Sequence, residues 1–225
     1  MTDDHRDVRW QRAGLLSGIL YVVVQLAGFV FFAAAVLPNF APIDAPAAQR
    51  AAAIVKVGSQ MRLGNYLIAF PVPFFLFFLG GVFEPLRRLA AGRDTLPVTA
   101  LVAGTATALV WALGAVVADI ELDLAQAGGD VETVSALDAI APYTLALSAF
   151  PRAVFVAAAS LPLLDFSDTA GWTGRIGLVI AGLSLIGTTT LLSPIGFPVL
   201  AVSSLLFDVW LLALCVVLLR VAARR

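Results

Sequence analysis

An all-α, polytopic transmembrane bundle of six spans, forming one domain over residues 1–225, is the fold the sequence predicts. Three observations predict it. Hydrophobic residues make up 60% of the chain and charged residues 13%, whereas soluble domains run nearer ~45–50% apolar and ~25% charged. The mean hydropathy is +0.96. Six stretches each reach the roughly 20 apolar residues that a helix needs to cross a ~30 Å hydrocarbon core. Helix is the expected form, because a backbone in lipid must satisfy its own hydrogen bonds. A membrane barrel would show short alternating strands instead of these long runs.

The spans follow in order. Ala13–Leu37 is the first, and its apolar run is too long for the ~7–15-residue core of a cleaved signal peptide. It reads as a retained span. In the connection after it, Asp44 is placed to cap a helix whose first turn holds Pro46. Ile54, Val55 and Met61 against Arg50, Lys56 and Gln60 make that helix weakly amphipathic, suited to lying at an interface. Asn65–Phe83 is the second span, interrupted by Pro71 and Pro73, and Leu96–Ala118 the third. An acidic connection follows, with Asp119, Glu121, Asp123, Asp130, Glu132 and Asp138 and no basic residue. It lacks the glycine and distant glutamate of a calcium loop, and reads as a solvated outer loop facing the basic first connection. Ala139–Leu164 is the fourth span, with Pro142, Pro151 and Pro162 in it. Trp172–Leu192 is the fifth. A tight turn around Ser193, Pro194 and Gly196 leads to the sixth, Phe197–Leu219.

Basic residues orient this bundle. Ten arginines fall on the side of the termini, and only Arg50, Lys56 and Arg62 on the other. The positive-inside rule then places both termini in the cytoplasm and requires an even number of spans. Trp10 and Trp172 at the inner boundary, with Tyr66 and Tyr143 at the outer, match an interfacial aromatic belt. The 13-to-1 excess of arginine over lysine points to a GC-rich bacterial genome.

Other classes are disfavoured. A net charge of −1 gives no reason to expect nucleic acid as a partner. The lone Cys215 forms no internal disulfide. The lone His5, in the polar N-terminal tail, argues against histidine metal sites and against Ser-His or Cys-His catalysis. No metal and no cofactor is expected, and no catalytic residue stands out.

What stands out is polar. Arg152 lies in the apolar run of span four, near the midplane, where a charge costs at least ~2.5–3.5 kcal/mol and needs a partner or water. Asp208 is the acidic residue deep in span six. Counted from the outer boundary at ~1.5 Å per residue, the two depths agree within a few ångströms, which predicts a direct or one-water pair. Gln25 sits at the centre of span one. Four-residue spacing extends each into a stripe: Thr144, Ser148 and Arg152 on span four, Ser204 and Asp208 on span six, Ser17, Tyr21 and Gln25 on span one. Together they suit a polar route to the centre from both faces. A helix clamp is the competing account, since Ser, Thr and the Gly14-x-x-x-Gly18 pair are ordinary packing residues in membranes.

SQMRLGNYL opening span two, FEPLRR closing it and GRIGLVIAGLSLIG in span five resemble a family of small bacterial integral membrane proteins filed as a domain of unknown function. That resemblance covers nearly the whole chain and implies a six-helix inner-membrane protein. It implies no activity. Arg62, Gly64, Arg175 and Gly177 match its recurrent positions and read as anchoring and packing. Three functions remain open. The first is binding or transport of a small molecule or ion at a site of Arg152, Asp208, Gln25, Ser148, Ser204 and Tyr21. The second is a structural or regulatory membrane subunit that docks a partner protein. The third, least supported, is an intramembrane enzyme, because arginine stays protonated and is a poor general base.

Overall fold

The computed structural model describes residues 2–41, 45–90, 92–166 and 168–223. All regular structure among these is helical, with no strand. The helices are α1 (Thr2–Phe31), α2 (Ala47–Lys56), α3 (Gly58–Ala69), α4 (Val72–Leu89), α5 (Thr95–Gln126), α6 (Val131–Ser160), α7 (Asp168–Gly187) and α8 (Phe197–Ala223). Six helical segments are long and apolar enough to cross a membrane: Arg9–Asn39, Gly58–Leu89, Thr95–Gln126, Val131–Leu163, Asp168–Leu191 and Phe197–Arg220. The chain is therefore compatible with a multi-pass membrane protein.

The six segments close a ring in chain order. Each packs against the next, and α8 returns to α1. The first and second segments run antiparallel. A Cβ on Gly14, early in α1, would lie 2.5 Å from the Cα of Gly81, late in α4. Farther along α1, a Cβ on Gly28 would meet the carbonyl of Leu67 in α3 at 3.1 Å. Glycine is required where Gly14 and Gly81 face each other, because two backbones approach closer than a methyl group allows. We call the end where α1 begins basal, and the opposite end distal.

Proline places the break in the second segment. Pro71 and Pro73 lack amide hydrogens, so α3 stops at Ala69 and α4 restarts at Val72. The last carbonyls of α3 are left without helical partners, and the Trp111 indole donates to that of Ile68 at 3.3 Å. Pro151, by contrast, is carried within α6. Span one ends in a widened π turn, Phe32–Val36, and a 3₁₀ turn, Leu37–Asn39.

The distal end departs most from expectation. The acidic stretch is not a loop: α5 continues to Gln126 and α6 starts at Val131, so Asp119, Glu121 and Asp123 are helical. Only a short turn separates the two, with Gly128 at φ +73°, a left-handed conformation that glycine adopts without penalty. Asp130 caps α6, its carboxylate accepting from the Thr133 amide at 2.9 Å and the Thr133 hydroxyl at 2.8 Å. Those donors hold the Asp130 carboxyl below the usual aspartate range. The basic connection is helical as well, as α2 and α3. It folds onto the acidic extension: Arg50 binds Asp138, Arg62 binds Asp123, and the Asn65 amide donates to Asp119 at 3.1 Å. Helices extend beyond their apolar cores here because opposite charges and an apolar cluster of Val36, Ile54, Val57, Met61, Leu122 and Val134 hold them to one another. The expected amphipathic face is only partly right, since Ile54 is buried but Val55 is exposed. The expected cap at Asp44 lies outside the described residues.

Aromatic rings fill the basal half of the core. Phe75, Phe78, Phe155, Phe207 and Trp210 interlock, mostly edge to face, with centroids 5.8–6.5 Å apart. The Trp210 indole donates to the Thr173 carbonyl at 3.0 Å, tying α8 to α7.

Candidate functional site

Arg152 is 2% exposed, in a helix otherwise apolar at that depth. The direct bond to Asp208 expected from their equal depth is not formed. Instead the guanidinium forks onto two serines of α8: Nη1 donates to Ser204 Oγ at 2.7 Å and Nη2 to Ser203 Oγ at 3.0 Å. Each serine passes its own hydroxyl hydrogen to the Leu200 carbonyl, at 2.9 Å from Ser203 and 2.8 Å from Ser204. Helix geometry explains the choice. Ser203 and Ser204 lie one turn before Asp208 on α8, so the hydroxyls and not the carboxylate stand level with the two Nη atoms. The Phe207 ring sits against the guanidinium, 5.8 Å from its Cζ to the centroid. The Arg152 Nε atom has no acceptor.

Asp208 is 2% exposed and makes no ion pair with Arg152, although the two charges act on each other and on Tyr21. Gln25, from α1, is 1% exposed, with neither amide atom hydrogen-bonded. These groups surround one small cavity. Tyr21, Gln25, Arg152, Ser204 and Asp208 line it, with apolar walls from α4 and Thr107 and Trp111 from α5. Its volume is about 20 Å³, room for a single water. Five helices meet there, and the chamber holds uncommitted donors and acceptors of both signs.

The sequence-derived set is thus brought together except at one position. Ser148 is buried but does not line the cavity; its hydroxyl turns back to the Leu145 carbonyl at 2.7 Å. The inner stripe also stops short. Ser17 donates to the Gly14 carbonyl at 2.6 Å and lies in an apolar groove between α1 and α4, with Leu16 and Phe77. No polar track therefore runs from the basal face along Ser17, Tyr21 and Gln25. Sequence reasoning missed Ser203, Thr107 and Trp111. Ser203 carried a signal, being adjacent to Ser204 and opposite an arginine with two terminal nitrogens. Thr107 and Trp111 are four apart in span three at mid-depth, the spacing that exposed the other stripes.

Comparison with known proteins brings no match: no family model, curated protein or solved structure is similar to this chain.

Proposed function

We propose that this chain is a multi-pass protein of the inner (plasma) membrane, with both termini in the cytoplasm, that binds a small polar molecule or ion at the centre of its helix ring and moves it across the bilayer. One observation carries the reading. Arg152 Nε and both polar atoms of the Gln25 side chain are buried without partners around a shared cavity that Asp208 also faces. Buried polar groups are ordinarily satisfied, and orphans concentrate where a ligand completes them. In lipid such groups are expensive to keep and mark substrate paths. A chamber of one-water size corresponds to a closed state. The break between α3 and α4 lies beside it, since Val72 and Phe75 line the chamber immediately after Pro71. Interrupted helices at mid-membrane are where transporters form sites and move.

One observation favours a second reading. The Arg152 bonds to Ser203 and Ser204 tie α6 to α8, as a purely structural clamp in a membrane subunit would. Native mass spectrometry of the purified protein separates the two. The proposal expects a co-purifying small-molecule adduct on the wild type that is absent from the Arg152→Leu/Asp208→Leu double variant. An identical spectrum for both proteins, with no adduct, sinks the binding reading and leaves the clamp.

A further inference from the structure

A second buried acid lies far from the central chamber, under the distal cap. Glu121 is 1% exposed and its Oε1 has no hydrogen-bond donor. It sits on α5 beside Leu122, a member of the apolar cluster to which Ile54 and Val57 at the α2–α3 cap also belong. The charges that act on it are Asp138 of α6 and Arg50 of α2. Arg50 is already committed, donating from Nε to Asp138 Oδ2 at 2.7 Å and pairing through Nη2 with the same oxygen. The remaining charged groups nearby are spoken for or turned outward. Arg62 of α3 binds Asp123, Asn65 of α3 binds Asp119, and Lys56 of α2 is exposed. Asp138 therefore holds the one guanidinium nearby, and the buried Glu121 carboxyl is left without a partner.

A buried carboxylate without donors is far costlier than the neutral acid. Among the described residues no group of three or more metal-ligating side chains is present to recruit a cation there. We infer that Glu121 is held as a protonated carboxylic acid and that this proton latches the α2–α3 cap onto α5 and α6, so that releasing it to water opens the distal end of the bundle. The inference does not depend on the central chamber having a ligand.

Linkage sets the sign and the size. The closed cap keeps the proton to higher pH than the open cap, in which Glu121 is solvated and ionises near ~4.3. Across the interval in which only the closed form is protonated, the opening constant rises about tenfold per pH unit, then levels off.

Hydrogen exchange of the full-length protein in detergent, over a pH series and at constant ionic strength, tests this. In the wild type, the amides of α2 and the last turns of α5 should lose protection as pH rises, roughly tenfold per unit beyond the change seen in Glu121→Gln. The Glu121→Gln cap, neutral at every pH, should stay closed throughout. The same pH response in both proteins overturns the inference, as does a Glu121→Gln cap that is open even at low pH. Infrared difference spectroscopy gives a readout independent of stability: the spectrum of the wild type minus that of Glu121→Gln should show a protonated-carboxyl band at neutral pH. The absence of that band, or a wild-type response that changes when choline replaces sodium, rejects the proton latch.

Discussion

Replacing Arg152 by leucine strikes the centre of the bundle, and the consequences can be worked out bond by bond. The substitution removes the countercharge of Asp208, which is 2% exposed and has no donor of its own. Although the two make no ion pair, Asp208 is then left as an uncompensated buried charge, which costs up to about 3–5 kcal/mol. Ser203 and Ser204 are not orphaned, since both still donate to the Leu200 carbonyl. Asp208→Leu is milder, because Arg152 retains both serines as acceptors. Its cost is about 1–3 kcal/mol, that of a group left partly unsatisfied. At roughly 2–4 °C per kcal/mol for a chain of this size, Arg152→Leu should lower the midpoint of thermal unfolding in detergent by about 6–20 °C. Asp208→Leu should lower it by about 2–12 °C. The double variant should lose less than the two singles together, because no isolated charge remains. Strict additivity refutes the coupling. A larger loss from Asp208→Leu than from Arg152→Leu refutes the claim that the serines, not the carboxylate, hold the guanidinium.

Two further outcomes are expected. Gly81→Ala should destabilise by about 1–3 kcal/mol through overpacking against α1, whereas Gly80→Ala, whose Cβ would meet nothing within 4 Å, should be neutral or gain about 0.5–1 kcal/mol of helix propensity; equal effects at the two positions would show that α1 and α4 do not cross there. A cysteine placed at Asp130 should react with an impermeant reagent in intact cells, and labelling only after the membrane is broken open would reverse the proposed orientation.

Long apolar runs made the six helices legible, because membrane-scale hydropathy is a signal no local detail can cancel. Their ends were not legible. Asp119 and Asp123 look like loop residues by composition, yet they are helical where the basic α2–α3 segment, distant in sequence, supplies Asn65 and Arg62 as their partners. The central site was legible as a depth, since Gln25, Arg152 and Asp208 stand out against apolar neighbours. Its wiring was not. Which acceptor Arg152 takes depends on the rotation of α8, and only that rotation brings Ser203 and Ser204 forward. Ser148 failed for the same reason: a four-residue spacing identifies a stripe, but a serine in a helix can satisfy itself on the carbonyl a turn back.

The ring that closes in chain order has a consequence for biosynthesis. Each helix emerging from the ribosome finds its neighbour already in place, but α8 comes last and carries both serines that hold Arg152, together with Asp208. Until α8 arrives, the intermediate of five long segments contains a bare guanidinium in α6, facing a gap between α1 and α7. A nascent chain that stalls there, or a message truncated before Phe197, yields a bundle with an unsheathed charge, which is costly to keep in an apolar interior. The docking of α8 and the sheathing of the Arg152 guanidinium are the same event.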